Sequence, residues 1–342
     1  MLQTKNITLA AFLLCALSLQ LAAQETPLPS AQKASLTTIT DASLYLDHAQ
    51  KEQKRIAGKK RKDNAAHLCP DTPHIGVGSF WGDFRSSHQD AEVVRIIGSH
   101  TLLGVYDGHG GAPSVHMPFS LDRGLCVSSF AAMRMPELFA QGLHTYKDHK
   151  QLFTDAHALI DKEIERFYIG NRKAGSTAVS ALIDDKNNIT FAHAGDSRAL
   201  LIDKDGNILF ATKDHKPYTP EEWARLKALG GYVYGKRVLG QLAVSRSFGD
   251  FSLGGKDGKK LITAEPEVSF YKEVPQGSIL LLACDGVWDK YRGKKDSEQN
   301  RAVAAHLVAA KKQGLSAQHI AESFKDFGDI SRDNTTAIVY LF

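Results

Sequence analysis

The chain has 342 residues, of which 43% are hydrophobic and 23% charged, with a formal net charge of +4. That apolar fraction is ordinary for a globular protein, and no internal repeat or long low-complexity tract interrupts it. A charge balance this close to neutral, with no aromatic-studded basic stripe, excludes nucleic acid as an expected partner.

Lys5 precedes an uncharged apolar stretch from Ile7 to Leu21, followed by Ala22-Ala23 and the polar, proline-bearing residues Gln24 to Pro29. This is the pattern of a secretory signal peptide cut near Ala23, which predicts a leader over 1–23. A transmembrane anchor is the rival reading, but Ser18 and Gln20 interrupt the stretch and it is short for a span. The segment has no Arg, unlike a mitochondrial transit peptide, and Cys15 behind Leu14 is a poor context for lipid attachment. The expectation is a secreted or periplasmic protein, with no stable membrane anchor after cleavage and with delivery to another cell as an open destination.

Cleavage removes Lys5 and Cys15 and leaves a slightly basic chain with Cys69, Cys126 and Cys284. An odd number cannot form a complete disulfide framework; Cys284 reads as a small core residue, and a Cys69–Cys126 bridge stays open in an oxidising compartment. Residues 24–74 form an extension before the domain. A helix is predicted over 41–62, with Thr40 or Asp41 as cap and a broken apolar stripe of Leu44, Tyr45 and Ile56. The basic run Lys59-Lys60-Arg61-Lys62 reads first as a solvated tail, with a nuclear address as the alternative if the protein enters another cell.

From residue 75 to 342 the chain alternates short β-rich runs with turns. Strands are predicted over 76–81, 91–97 and 101–106, then two helices over 136–146 and 151–168 whose apolar faces suit one side of a sheet. Strands resume over 176–183, 189–194, 199–202 and 208–211. The clearest helix is 219–229: Thr219 caps, Pro220 takes the first position, Glu222 completes a capping box and Gly230-Gly231 stops it.

Two apolar strands run into an Asp-Gly pair, LLGVYDGHGG ending at Asp107 and SILLLACDGVWD at Asp285, and a further acidic cluster, Ser331 to Asn334, precedes the last strand. A carboxylate at the end of a buried strand is costly unless its charge is compensated, and a shared divalent cation is the simplest compensation. The glycines would let the backbone turn tightly beside the metal. The ligands on offer are oxygens, which favours magnesium or manganese over calcium and excludes a zinc-type Cys/His site.

Asp107-Gly108-His109-Gly110-Gly111, Gly175-Ser176-Thr177-Ala178, Ala194-Gly195-Asp196-Ser197-Arg198, LAVSRSFGD (242–250), Pro266-Glu267-Val268, Asp285-Gly286-Val287-Trp288-Asp289 and Asp333-Asn334-Thr335-Thr336 occur in one order. From about Gly76 onward this ordered set resembles the type 2C metal-dependent protein phosphatases. The resemblance implies an α+β fold, a four-layer α-β-β-α sandwich of two antiparallel sheets flanked by helices, with a binuclear metal site at one end. It implies hydrolysis of phosphoserine and phosphothreonine in proteins, by a monomer, with phosphoproteins as substrates.

Residue by residue, the resemblance matches Asp107 to the carboxylate bridging two Mg2+ or Mn2+ ions, Gly108 to a carbonyl ligand, and Asp285 and Asp333 to direct ligands. His109 matches the general acid and Arg85 the phosphate-binding arginine, whose guanidinium fork suits a tetrahedral dianion. Gln89 stands where many members have Glu and would hold a metal through water without adding negative charge. Asp90 would orient metal waters, and Asp196 and Asp289, with Asp285, match ligands of a third, weaker ion. Asn334 would support the site by hydrogen bonding, Arg246 and Asp250 would be structural at the base of the flap, and the 219–229 helix would belong to that flap.

Other phosphatase chemistries lack their residues. No cysteine is followed six residues later by Arg, and neither Gly-Asp-x-His-Gly nor Gly-Asn-His-Glu occurs. Hydride transfer is unsupported because DGHGG is not a Gly-x-Gly-x-x-Gly fingerprint. A degenerate phosphatase that binds phosphoproteins without turning them over is the alternative. Such proteins usually lose a bridging carboxylate, and Asp107, Asp285 and Asp333 are all present.

Overall fold

The computed structural model describes residues 36–41, 45, 47, 51, 72–82, 85, 87–110, 122–167, 169 and 172–342. The chain divides between Ser35 and Leu36, so all described residues belong to one unit. The expected leader, the basic run 59–62, Cys69 and most of the helix expected over 41–62 lie outside the described residues.

In chain order the strands are β1 (Ile75–Phe80), β2 (Asp90–Ile97), β3 (His100–His109), β4 (Gly175–Ser176), β5 (Ala178–Ile183), β6 (Ile189–Ala194) and β7 (Arg198–Ile202). They continue as β8 (Ile208–Ala211), β9 (Val233–Tyr234), β10 (Arg237–Val238), β11 (Phe248–Gly249), β12 (Glu267–Tyr271), β13 (Ile279–Ala283) and β14 (Thr335–Leu341). A five-stranded sheet runs β1-β14-β13-β7-β8, and a seven-stranded sheet runs β11-β4-β3-β5-β6-β12 with β2 also paired to β3. Their strand pairs are antiparallel.

The helices follow as α1 (Arg123–Gly142), α2 (His149–Arg166), α3 (Pro220–Ala228), α4 (Asp285–Trp288), α5 (Asp296–Lys312), α6 (Ala317–Glu322) and α7 (Phe327–Ser331). Helix α1 packs on β2 and β3 and α2 packs on α1, while α6 packs on β1 and β14 and α5 against β8. The result is the expected α-β-β-α sandwich. Between the sheets, Leu103, Val105 and Phe191 meet Leu201, Leu280 and Ile338. Their neighbours Leu200, Leu281 and Val339 point the other way, onto Val303, Leu307 and Phe324. Both faces of β13 are therefore covered, which is why it reads as an unbroken apolar run instead of an alternating one.

Several expected boundaries move. Helix α1 begins well before 136: Asp122 Oδ1 accepts from Leu125 N at 3.1 Å, and Pro136 sits inside the helix. Burial of Phe130, Met135 and Phe139 outweighs the local cost of that proline. The capping box at α3 is not formed. Thr219 makes no side-chain cap bond and its hydroxyl donates to Lys216 O at 2.9 Å, while Glu222 accepts from Arg246 Nη2 at 2.7 Å. A charge-assisted bond to Arg246 is the stronger partner for that carboxylate. Helices α5 and α6 and strand β12 have no counterpart among the expected elements.

The extension before the domain contributes to the helical layer. Buried Arg134 bonds Glu163 Oε2 at 2.9 Å and also donates to Thr37 O. Ile39 N donates to Glu163 Oε1 at 3.0 Å, and the Tyr45 hydroxyl donates to Glu137 Oε2 at 2.5 Å.

Candidate active site

Asp90 opens β2 and pairs in register with Asp107 near the end of β3. Strand β3 does not stop at the Asp-Gly pair: it continues through Gly108 and His109, which pair with Ser176 and Gly175 of β4. The next residue, Gly110, has a left-handed φ of 73°. Gly108 is required for another reason, because a Cβ there would lie 2.4 Å from Gly124 O and 2.6 Å from Gln89 O. At the other motif the chain passes directly from β13 into α4, and a Cβ on Gly286 would meet Asn334 O at 1.9 Å. The two glycines permit close backbone approach, not turning.

Arg85, Gln89, Asp107, His109, Asp285 and Asp333 line one cleft of about 700 Å³. Gly108, Asp196 and Asp289 line it as well. Asp90 lies behind, buried, accepting from Thr336 Oγ1 at 2.7 Å. Strand ends from both sheets thus bring distant carboxylates to one rim.

Those charges oppose one another. Burial, and then the charges of Asp90, Asp285 and Asp333, push the Asp107 carboxyl well above the usual range. Burial and then Asp333 and Asp196 do the same to Asp285, and Asp90 is pushed up to about 6, first by burial. Asp285 Oδ1 is buried without a hydrogen-bond partner. Asp90, Asp107 and Cys284 each offer a ligand atom within 4.8 Å of the others. Burial, then Asp90 and Asp107, raise the Cys284 thiol well above its ordinary value, so it stays protonated and leaves the carboxylates as donors. A hard divalent cation fits this set: oxygen ligands, surplus negative charge and an orphaned carboxylate oxygen.

The remaining residues have protein partners. Arg85 pairs with Asp333, Lys216 with Asp196 and Arg292 with Asp289. Gln89 turns its amide nitrogen to Asp122 Oδ1 at 2.7 Å, tying it to the cap of α1. Asn334 donates to Ser87 O at 3.1 Å, the supporting contact expected of it. His109 Nε2 lies 2.7 Å from Asp250 Oδ2. Burial disfavours the imidazolium, but the Asp250 charge and hydrogen bond outweigh it and raise the His109 pKa.

Sequence reasoning missed Lys216 as a site cation and Asp250 as the partner of His109. Neither carries a local signal, since each acts on a residue brought near only by folding. Cys126 and Cys284 are buried free thiols; Cys69, the candidate partner of Cys126, lies outside the described residues. A second group of candidate ligands, His193, His215 and Glu267, lies apart from these carboxylates: the two imidazoles stack with centroids 4.4 Å apart and His193 Nε2 lies 2.8 Å from Lys213 O. Gly195 N donates to His215 Nδ1 at 3.2 Å, and His215 Nε2 lies 3.5 Å from Glu267 Oε2 without a hydrogen-bond partner.

The family model described as protein phosphatase 2C matches residues 98–328. The chain belongs to the protein phosphatase 2C family. It is 31% identical over 326 residues to probable protein phosphatase 1N of Mus musculus, covering 88% of this chain and 75% of that protein. It is 33% identical over 238 residues to protein phosphatase 1L of Bos taurus, covering 65% of this chain and 61% of that one. The chain thus spans less than two thirds of the bovine relative's length. A solved phosphatase from a pathogenic strain of Toxoplasma gondii matches with a TM-score of 0.64 at 23% identity, over 78% of this chain and 92% of that chain. At that identity the likeness is one of fold. The protein phosphatase 2C architecture accounts for the two antiparallel sheets and their flanking helices.

Proposed function

We propose that this chain is a metal-dependent protein phosphatase that hydrolyses phosphoserine and phosphothreonine, and that its leader directs export from the cytosol. The observation that carries the catalytic reading is the convergence of Asp107, Asp285 and Asp333, from three distant segments, on one cleft with Asp285 Oδ1 left without a protein partner. Asp107, Gly108, Asp285 and Asp333 would hold two Mg2+ or Mn2+ ions, with Asp90 and Gln89 positioning their water. Asp196 and Asp289 would hold a third ion only by giving up Lys216 and Arg292. Such a pair of cations supplies an acidified water and neutralises charge on the phosphoryl oxygens.

The chain's own groups supply the rest. Arg85 sits at the cleft on Asp333, and its fork can take a phosphate in exchange for that carboxylate. His109, whose protonated form the Asp250 charge favours, is the proton donor to the departing seryl or threonyl oxygen. The test is phosphate release from a phosphothreonine peptide and from p-nitrophenyl phosphate with manganese. Release that chelator abolishes is expected. A folded, metal-loaded protein inert toward both would overturn the reading in favour of a phosphoprotein binder. Sequencing the N-terminus of the mature protein after cell fractionation tests export, with Gln24 as the expected first residue.

A further inference from the structure

Strands β9 and β10 form a two-residue hairpin, Tyr234 paired with Arg237 and Val233 with Val238. Its turn residues Gly235 and Lys236 have φ values of 58° and 64°, a left-handed turn that suits the strand twist and holds the tip in one shape. Gly235, Lys236 and Arg237 line the cleft, and so do Arg292 and Lys294 from the loop after α4. All four basic residues are exposed.

Three acidic groups of the floor already have protein cations, Arg85 on Asp333, Lys216 on Asp196 and Arg292 on Asp289, while Asp107 and Asp285 are the ones left to the proposed metal ions. Lys236, Arg237 and Lys294 have no carboxylate partner among the described residues. Lys236 Nζ stands 5.2 Å from the centroid of Tyr218, itself half-exposed. Arg237 Nη1 donates only to Gln241 O, at 2.8 Å, and Lys294 Nζ lies 5.5 Å from the Tyr291 centroid. A chain with a formal net charge of only +4 therefore gathers unmatched cations at the mouth of an otherwise acidic cleft. Aromatic rings at Tyr218 and Tyr234 stand beside them, exposed by 50% and 76%.

We infer that this rim selects phosphopeptides carrying further anionic side chains beside the phosphorylated residue, with Lys236, Arg237 and Lys294 as the specificity-determining groups. The inference rests on the phosphatase reading for its substrate and on charge complementarity for its selectivity. Carboxylates and second phosphates share the chemistry required. The rim can meet them without disturbing the ion pairs of the floor.

The experiment uses the full chain with manganese and three phosphothreonine peptides whose flanking positions are neutral, aspartate or a phosphonate analogue of phosphoserine that cannot be hydrolysed (the phosphoserine peptide). Each exposed pair contributes a factor of about 1.5 to 5, so the aspartate peptide is expected to exceed the neutral one about tenfold in kcat/KM. The gain should lie in KM and shrink as salt rises. The triple variant Lys236→Asn, Arg237→Gln, Lys294→Gln should reduce the preference toward unity; Asn is chosen because it tolerates positive φ. A still higher value for the phosphoserine peptide would identify a second phosphate as the anion, and equal values a carboxylate. The affinity of the unphosphorylated product peptides, read by fluorescence anisotropy at low salt, reports on the rim without turnover. Equal binding and equal kcat/KM for neutral and acidic peptides would overturn the inference while leaving the phosphatase reading intact. Loss of turnover on every peptide with preserved acidic preference in binding would overturn the phosphatase reading and leave the rim's selectivity standing.

Discussion

His109 Nε2 lies 2.7 Å from Asp250 Oδ2, although 141 positions separate the two residues. The contact is sterically tight: a Cβ on Gly175 would fall 2.2 Å from Asp250 Oδ2 and 2.6 Å from His109 Nε2. Ser247 Oγ donates to the same carboxylate oxygen at 2.6 Å, which fixes its orientation. His109 therefore holds its proton above its ordinary pKa of 6.5.

Asp250→Asn removes the charge that holds this proton. The His109 pKa falls, the protonated fraction at a given neutral or alkaline pH drops, and the alkaline limb of the kcat profile moves to lower pH. Peptide turnover at pH 7 should decline by about tenfold, with manganese affinity by calorimetry unchanged. An unmoved alkaline limb would show that His109 is not the proton donor. Gly175→Ala should reproduce the loss of turnover by splitting the pair.

Asp285→Asn should separate stability from activity. Removing one of several mutually repelling carboxylates relieves the metal-free protein, so its Tm should rise, by about 2–4 °C for each kcal/mol gained. The rise in Tm that manganese gives the wild type should shrink or vanish. Turnover should fall by about a thousandfold, the equivalent of several kcal/mol of lost charge stabilisation. Thermal melts with and without manganese read the first two effects and phosphate release the third.

Arg134 and Glu163 are 1% and 0% exposed, and between them they hold Thr37 and Ile39 onto the helical layer. Arg134→Ala strands a buried carboxylate and should cost about 3–5 kcal/mol. The double variant Arg134→Met, Glu163→Leu should recover most of that loss, because it removes both charges together. Urea unfolding of the two variants distinguishes a lost ion pair from a general packing defect.

Acid should loosen the flap first at Glu222. Burial alone would raise its pKa, but Arg246 and Arg225 hold it down at about 2 against an ordinary 4.5. A depressed carboxylate contributes stability that is fully present above pH 4.5 and lost as pH falls toward 2. Hydrogen exchange across residues 219–250 should therefore accelerate through that window. Glu222→Gln should flatten the dependence and weaken the flap at neutral pH by about 1 kcal/mol.

The motif residues were legible in the chain because they are written locally, and the sandwich was legible only through the family resemblance that their order carries. ILLLA at 279–283 is apolar at every position because sheet and helix cover both its faces, and the acidic endings at Asp107 and Asp285 mark where strands deliver charge to a rim. The start of α1 was not legible: Pro136 is a strong local signal, and packing of Phe130 and Phe139 overrides it. Glu222 looked like a cap partner from spacing alone, yet an arginine 24 positions away takes it.

From its sequence alone the chain determined which side chains could hold a hard cation, and that alternating strands and helices would carry them. Only folding decided what each one faces: Asp250 behind His109, Lys216 on Asp196, Gln89 on the cap of α1, and unmatched cations at the cleft mouth. Residue type and short-range period act along the chain, whereas hydrogen bonds and charge pairing act through space. Partners from 20 to 141 positions apart become neighbours only when the chain folds onto its common core.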